Sequence, residues 1–587
     1  MSHRRRKPRA TAPPIDRRAE RLLGFAIFGA ALLVRVLFWR ATPDRAWGWS
    51  AFFRGDAPLW LEWARAIASG TAFELGLPIH PPGTAYLASI LWNELPSGIP
   101  FLRFAWILLG ALVPFFLFRA AERSFGLSVA AVAGCGAALA TGLLVLSATI
   151  DSETPYLVLA IGSFGLVEDL RERPRSGRLA LWSATNGVAC LFRVEHLLFY
   201  VLALAFFAIR WTRRSGGGRS LRWVTASLVL FALPLVPWHA KSWSAIARFN
   251  RVSPVPSSSY SARVEWDADA ARRRDDLPGF ARGTASEFVA ATVAHRGRTR
   301  VRAADFAILD EAFAYFPRPL SSHPFVSAYG PLNFALANGP SASGGFDRTR
   351  LEEPPPLAGG SSQYPAELVS GLPPPQLAFV YPPHLRLFNA GYGTGFAWIA
   401  SHPADFARLA LRKLSIFWSG TALGLTGWNL PLGLSGLRRP VDMIVPDGGA
   451  PALVWRIALL AAAVAGVAAG WRQAALVPWL LFLVSKVAVA VAFFGYARQG
   501  AAVIPAVALL VALAARRWIL RGAEPRPRSV LRAAILVLTL GSALETARFL
   551  AKPAISVDGQ PAGATDPLPT GETRPHAIRV DFGRSEK

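Results

Sequence analysis

The sequence predicts an all-α polytopic membrane protein, with about eleven transmembrane helices and a non-cytoplasmic insert of α or α+β structure. Of its 587 residues, 52% are hydrophobic and only 17% are charged, and the mean hydropathy is +0.33. A soluble domain carries about 25% charged residues. The apolar residues fall in runs of about 17 to 22, which is the length that crosses a bilayer as a helix. A lipid bilayer is therefore the solvent that fits this composition.

The predicted spans follow one another along the chain, separated by polar segments. They lie near residues 21–39, 101–119, 126–148, 153–170, 179–192, 195–210, 222–240, 452–471, 474–494, 501–515 and 532–550. The stretch 179–210 is short for two full spans and could also form one broken hairpin. The first span follows a basic segment but is long and has no small-residue cleavage site, so we interpret it as an uncleaved helix.

The net charge of +26 raises the question of a nucleic-acid partner, but the positions of the arginines indicate membrane topology instead. With a cytoplasmic N-terminus and alternating spans, the loops near 171–178, 211–221 and 516–531 all lie in the cytoplasm. All three are rich in arginine, as the positive-inside rule requires. The sequence thus predicts a multi-pass protein of the inner (plasma) membrane that binds no nucleic acid.

This topology divides the chain into four predicted parts. They are an N-terminal transmembrane module at 1–240 with its first non-cytoplasmic loop at 40–100, a non-cytoplasmic (periplasmic) domain at 241–450, the C-terminal transmembrane helices at 451–550 and a polar tail at 551–587. Within the insert, residues 284–316 are helix-like, and 402–420 predict an amphipathic helix lying on the membrane surface.

The chain has two cysteines, Cys135 and Cys190, and both lie in apolar runs. They are expected to be small buried hydrophobic side chains. Two such cysteines supply neither a disulfide framework nor a CxxC metal pattern.

The first non-cytoplasmic loop contains FFRGDAPLWLEWARAIASG (52–70) and PIHPPGTAYL (78–87). Composition predicts a helix from Ala57 to Ala68, with Trp60 and Trp63 on one face at the depth of the lipid headgroups. Asp56 stands at the N-terminal edge of this helix and is the candidate catalytic acid; the alternative is that it only caps the helix ahead of a proline. His80 precedes a second predicted helix at 83–93.

Ionisable side chains gather at the non-cytoplasmic ends of the predicted spans. They are Asp151 and Glu153 between the third and fourth spans, Arg193, Glu195 and His196 between the fifth and sixth, Lys413 on the surface helix, and Arg498 between the ninth and tenth. Arg35 lies inside the first span. Charges in or beside a span are costly, so each is a functional hypothesis. The alternative for each is a long side chain that extends to the interface.

This mixture of groups suits a phosphate-containing substrate. Arginine, lysine and histidine could hold the phosphate as it leaves, and a carboxylate could deprotonate an acceptor hydroxyl. Asp151 and Glu153 are also candidate oxygen ligands for a divalent cation. The sequence contains no HExxH, GxSxG or P-loop motif.

Four motifs follow one another along this topology. They are Gly55-Asp56 followed by an aromatic helix and His80-Pro81-Pro82-Gly83, then Ser152-Glu153, then Leu191-Phe192-Arg193, and finally Tyr496-Ala497-Arg498 before a span containing Pro505. In these four places the chain resembles the GT-C fold membrane glycosyltransferases, notably the glycosyltransferase family 39-like group of protein O-mannosyltransferases and lipid A aminoarabinose transferases. The segment LNFALANGPSASGGF (332–346) also looks like an asparagine–glycine segment of bacterial relatives. The resemblance covers about two thirds of the chain, mainly its first 240 residues and the spans after 400.

The resemblance implies transfer of a sugar from a polyprenyl-phosphate-linked donor to a hydroxyl or amine of a protein, lipid or glycan. Asp56 matches the general base of the family. By position, Arg193 and Arg498 belong to the phosphate side of the donor. The predicted donor-binding set is Arg193, Glu195, His196, Arg498, Lys413, Arg35 and His80. Some GT-C enzymes use a divalent cation, and nothing in this sequence demands one.

Two departures from the family pattern keep other functions open. Many relatives have a second acid directly after the first-loop aspartate, where this chain has Ala57-Pro58. Residues 241–400 match no pattern. One alternative is a catalytically inactive GT-C-like protein that acts as a scaffold. The other is a lipid-sugar transporter or flippase, which predicts matched inverted repeats that the sequence does not show.

Overall fold

The computed structural model describes residues 17–41, 57–70, 77–94, 99–172, 174–252, 320, 324–346, 382–422, 450–520 and 525–550. Within these ranges every regular element is helical. The first twelve α-helices are α1 (Arg17–Ala41), α2 (Ala57–Ala68), α3 (Gly83–Glu94), α4 (Ile99–Phe125), α5 (Leu127–Leu139), α6 (Thr141–Ala148), α7 (Glu153–Phe164), α8 (Val167–Glu172), α9 (Ser176–Phe192), α10 (His196–Ser215), α11 (Gly217–Ala232) and α12 (Val236–Val252). The others are α13 (Tyr329–Ala337), α14 (Pro382–Ser401), α15 (Pro403–Thr421), α16 (Ala450–Gly470), α17 (Val477–Ala492), α18 (Ala497–Ala501), α19 (Ile504–Trp518) and α20 (Pro527–Leu550).

Each of the eleven predicted spans contains a helix, but their number as membrane crossings is not confirmed. In the described residues, five helices are long and apolar enough to cross a membrane: Arg18–Trp39, Phe101–Phe125, His196–Ser215, Gly217–Arg248 and Leu453–Gly470. The pair α5 and α6, bent by 53°, makes a sixth if it forms one span. The remaining predicted spans do not meet these criteria, and several of their helices, such as α17 and α19, are shorter than about 20 residues, the usual length of a span.

The bend between α5 and α6 shows how one buried charge is accommodated. Ala140 has an extended backbone, which ends α5 and leaves its last carbonyls without helical donors. Arg35 of α1 donates from Nη1 to Ala138 O at 3.2 Å and from Nε to Ser147 Oγ at 2.9 Å. The guanidinium therefore joins α1 to both halves of the bent pair.

The helix α4 lies at the centre of the N-terminal half, where it packs against α1, α5 and α7. Helices α7, α9, α10 and α11 continue the bundle, and α16, α19 and α20 close it against α5 and α1. Small residues permit the closest approaches. A Cβ atom added to Gly187 of α9 would overlap the backbone of Phe231.

The described part of the insert is helical and packs on the bundle. Helix α13 packs on α14, and α15 packs against α17 and α18. The helix α15 matches the amphipathic helix predicted at 402–420, but its Lys413 is not a surface charge, because the side chain is fully buried. The helix predicted near 284–316 and the tail at 551–587 lie outside the described residues, and the four-part domain division stays a prediction.

Candidate active site

Six ionisable side chains form one chain of alternating charge between helices that are distant in sequence. In order they are Asp151, Arg498, Glu153, Arg193, Glu195 and Lys486. Three are carboxylates and three are cations, so the formal charges cancel. We call this set the charge chain.

Two carboxylate oxygens connect the middle of the charge chain. Glu153 Oε1 lies 2.6 Å from Arg193 Nη1 and 3.4 Å from Arg498 Nε. Glu195 Oε1 lies 2.6 Å from Arg193 Nε and 3.3 Å from Lys486 Nζ. None of these side chains is more than 17% exposed, so salt and water weaken the contacts far less than on a protein surface.

Helix ends supply most of the charge chain. Asp151 lies in the turn between α6 and α7, and Glu153 is the first residue of α7. Helix α9 ends because Arg193 adopts an extended backbone, with φ −142° and ψ 104°. Arg498 is the second residue of the five-residue helix α18. These four members of the charge chain therefore lie at or next to helix termini rather than in the central turns of helices.

Asp151 is held at one end of the charge chain by aromatic and backbone donors. Its Oδ2 lies 2.7 Å from Arg498 Nη1. Its Oδ1 accepts from Trp60 Nε1 at 3.1 Å and from Ser152 N at 2.7 Å, and its backbone carbonyl accepts from Trp106 Nε1 at 2.9 Å. The indole of Trp60 therefore connects α2 of the first loop to the charge chain.

Lys486 occupies the other end, on the buried face of α17. Its Nζ lies 4.2 Å from the ring centre of Tyr156. Tyr156 Oη lies 3.0 Å from His196 Nδ1, and Asn186 Oδ1 lies 2.7 Å from His196 Nε2. Asn186 Nδ2 donates to the Trp182 carbonyl, so Asn186 Oδ1 accepts from Nε2–H of a neutral imidazole, and His196 Nδ1 accepts from the tyrosine.

In the turn between α9 and α10, ion pairs outweigh burial in setting the pKa of Arg193 and of Glu195. Burial alone would lower the pKa of Arg193, but Glu195 and Glu153 raise it above its usual range. Burial alone would raise the pKa of Glu195, but Arg193 and Lys486 lower it well below its usual range. Both groups are therefore ionised at neutral pH.

The structure unites five of the predicted site residues in the charge chain: Asp151, Glu153, Arg193, Glu195 and Arg498. His80 lies close by, since its ring is 6.1 Å from that of Trp60, 4.9 Å from that of Trp63 and 4.7 Å from that of Tyr329. The candidate general base Asp56 lies outside the described residues, directly before α2.

The side chains of three other predicted donor-binding residues form their described hydrogen bonds with residues outside the charge chain. Arg35 donates to Ala31 O of its own helix, to Ala138 O of α5 and to Ser147 Oγ of α6. His196 is fully buried between Tyr156 and Asn186. Lys413 donates from Nζ to Asn338 Oδ1 at 2.9 Å and to Val491 O at 3.0 Å, and burial lowers its pKa to about 7.

The described residues do not fit a divalent cation. In that part of the chain, no group of three or more His, Cys, Asp or Glu side chains could hold a metal ion. The candidate ligands Asp151 and Glu153 each direct an oxygen at a guanidinium. A cation there would have to displace an arginine.

Lys486 is the member of the charge chain that the sequence analysis missed. It is a single lysine in the otherwise apolar run 474–494. The rule that singled out Arg35, the cost of a charge inside a span, applies equally to Lys486 and could have found it.

One stretch of the sequence matches a known protein family, and that stretch supplies four members of the charge chain. Residues 79–238 match a family described as dolichyl-phosphate-mannose-protein mannosyltransferase. The match includes Asp151, Glu153, Arg193 and Glu195. It confirms the resemblance predicted from the sequence. Over residues 79–238 the chain is thus similar to this family, and its described residues form helices, several of them long and apolar enough to cross a membrane.

Two solved structures are also similar, both of ArnT from Cupriavidus metallidurans. The structure bound to undecaprenyl phosphate is 16% identical, covers 90% of this chain and 88% of that chain, and superposes with a TM-score of 0.30. The apo structure is 17% identical, covers 89% of this chain and 88% of that chain, and gives a TM-score of 0.32. TM-scores this low say nothing about individual residues. No curated protein sequence matches the chain.

Proposed function

We propose that this chain is an integral membrane hexosyltransferase that uses a polyprenyl-phosphate-linked sugar as donor at the non-cytoplasmic face. The observation that supports this most directly is the convergence of Arg193 and Arg498 on one oxygen of Glu153. Two guanidinium groups so placed suit a phosphate better than a single lysine would, because each can donate two parallel hydrogen bonds. The description of the matched family names a donor of this kind, dolichyl-phosphate mannose.

Arg193 and Arg498 would stabilise the phosphate as the bond to the sugar breaks. Negative charge grows on that phosphate during transfer, and donors fixed in a buried site stabilise such charge strongly. The charge chain is neutral before the donor arrives, so the phosphate has to share guanidinium N–H groups with Glu153 and Asp151. Each guanidinium has five N–H donors, which makes such sharing feasible.

Asp56 would act as general base on the acceptor hydroxyl or amine. It directly precedes α2, and Trp60 on the first turns of α2 donates to Asp151. That contact connects α2, the helix that follows Asp56 in the sequence, to the residues proposed to hold the phosphate. Attack from the side opposite the phosphate would invert the configuration at the anomeric carbon.

The test is sugar transfer in membrane vesicles supplied with radiolabelled polyprenyl-phosphate sugars. Wild type is expected to transfer the label, whereas Asp56→Asn loses transfer by about 100-fold or more but retains donor binding. Arg498→Met is expected to weaken donor binding as well. A matched control is Arg408→Met, since Arg408 is exposed on α15 and pairs only with a neighbour in the same helix in the described structure.

The outcomes separate this proposal from its alternatives. Equal transfer by wild type and Asp56→Asn removes the general-base role. Donor binding without transfer by wild type supports an inactive scaffold. Movement of the labelled lipid across the vesicle membrane without transfer supports a flippase.

A further inference from the structure

The turn at residues 493–496 decides where Arg498 points. It separates α17 from α18, and Arg498 is the second residue of the short helix that follows. Helix α17 ends at Ala492, because the backbone of the next residue, Phe493 (φ −113°, ψ −117°), is not helical. A turn of this kind needs partners, because the last carbonyls of a helix have no donors within the helix.

Two fully buried side chains supply those partners. Asn338 Nδ2 donates to Ala492 O at 2.8 Å, and Lys413 Nζ donates to Val491 O at 3.0 Å. The two are joined to each other, since Lys413 Nζ also donates to Asn338 Oδ1 at 2.9 Å. A lysine at a helix C-terminus is favourable in addition because of the helix dipole.

The asparagine–glycine segment that contains Asn338 also holds the rest of the turn. Gly495 N donates to Gly344 O at 2.8 Å, and Gly344 has a φ of 98°, which favours glycine. The ring of Phe346 lies 6.3 Å from that of Tyr496. Arg498 in turn lies over Tyr496, with its guanidinium carbon 4.9 Å from the ring centre.

We propose that Asn338 and Lys413 are positioning residues that hold the end of α17 so that Arg498 reaches Asp151 and Glu153. This assigns a role to the 332–346 segment and to Lys413, neither of which touches the charge chain directly in the described contacts. The expected effect of these two residues on donor binding rests on the function proposed above. Their effect on the ion pair between Arg498 and Asp151 is independent of any reaction.

The first experiment measures coupling between residues that do not touch. The midpoint temperature of unfolding is measured in detergent for the full chain with and without Asp151→Asn, in wild type and in Asn338→Ala. In wild type, Asp151→Asn removes the ion pair with Arg498 and lowers the midpoint. In Asn338→Ala, Arg498 has already moved away, so Asp151→Asn is expected to lower the midpoint by much less.

The control variant is Phe334→Leu. Phe334 lies on α13 in the same segment and packs on Phe396 and Phe493, but its side chain has no polar atom to hold the end of α17. It should lower the midpoint without changing the effect of Asp151→Asn. Equal effects of Asp151→Asn in all three backgrounds would show that Asn338 only stabilises the fold and would overturn the proposal.

The second experiment measures affinity for undecaprenyl phosphate as a probe. Asn338→Ala and Lys413→Met are expected to weaken binding roughly tenfold, the effect of displacing one charged hydrogen-bond donor. Lys413→Arg should restore part of that loss, and Phe334→Leu should leave the affinity unchanged. If the probe binds none of the proteins, wild type included, the proposed donor class is wrong, and the coupling experiment still decides the positioning role.

Discussion

At each end of the charge chain, an aromatic side chain contacts the last ionic group. Trp60 Nε1 donates to Asp151 at 3.1 Å, and the ring of Tyr156 lies beneath Lys486. Between these ends, each inner charge contacts two opposite charges. The charge chain can be buried because every charge in it is compensated by an opposite charge. Removing one member leaves a neighbouring charge buried without compensation, which costs free energy.

The residue-scale prediction concerns Lys486. Lys486→Met is expected to destabilise the protein by about 3 kcal/mol, because the charge chain then carries one uncompensated negative charge. The double variant Lys486→Met with Glu195→Gln restores neutrality and should recover a large part of the loss, as measured by thermal unfolding in detergent.

Ser485→Ala is the matched control for this prediction. Ser485 is equally buried on α17, and its hydroxyl donates to Phe482 O of the same helix, so its loss should cost about 1 kcal/mol or less. Additive losses for the Lys486 and Glu195 substitutions would contradict the pairing described here.

At the scale of elements, α18 is held against α15 through glycines. A Cβ atom added to Gly420 of α15 would overlap the backbone of Ala497, and one added to Gly500 of α18 would overlap the backbone of Phe417. Thr421 Oγ1 also donates to Gly500 O at 2.7 Å. The two backbones approach this closely because neither glycine carries a side chain. The position of Arg498 depends on this contact because it belongs to α18.

The element-scale prediction is that Gly420→Ala or Gly500→Ala forces α18 away from α15. Overpacking of this kind is expected to destabilise the protein by about 1–3 kcal/mol and to weaken donor binding along with stability. Gly29→Ala on α1 is the control, since a Cβ atom there meets nothing within 4 Å. It should be neutral or stabilise by up to about 1 kcal/mol, as alanine favours a helix over glycine. An unchanged donor affinity in Gly500→Ala would contradict the role given to this contact.

At the scale of the whole molecule, the Arg-rich connections and the charge chain belong to opposite ends of the helices. Arg213 and Arg214 lie in the last turn of α10, and Arg219 lies in the first turn of α11, next to the connection between the two helices. The charge chain includes Glu195, at the N-terminal end of the same helix. With α10 as a span, the positive-inside rule supports the proposal that the charge chain lies on the non-cytoplasmic side.

The whole-molecule prediction tests that orientation with single cysteines. Ser343→Cys and Gly218→Cys both lie at exposed positions, and the native Cys135 and Cys190 are buried and should give little background. A membrane-impermeant maleimide is expected to label Ser343→Cys in intact cells and Gly218→Cys only after permeabilisation. The reverse pattern would invert the topology and place the proposed reaction on the cytoplasmic side.

Local patterns in the sequence were sufficient to predict the bounds of individual helices. The predicted helix Ala57–Ala68 has those bounds in the structure, and the helix predicted at 402–420 is Pro403–Thr421. Apolar period, prolines and helix-ending residues act within a few residues, so they can be read from the chain directly. The number of spans could not be read in this way, since breaks such as the one at Ala140 divide an apolar run that looks continuous.

The sequence by itself determined the membrane class and the helical segments, and it predicted that the charged turns gather at one end of the spans. Only the tertiary structure decided which charges pair. Asp151 and Arg498 are 347 residues apart, and Glu195 and Lys486 are 291 apart. Local composition cannot specify such partners, because the approach of the two helix ends is set by packing across the bundle. The same packing buries Lys413, which the sequence analysis placed on a surface helix, and Asn338, which it noted only as part of the asparagine–glycine segment.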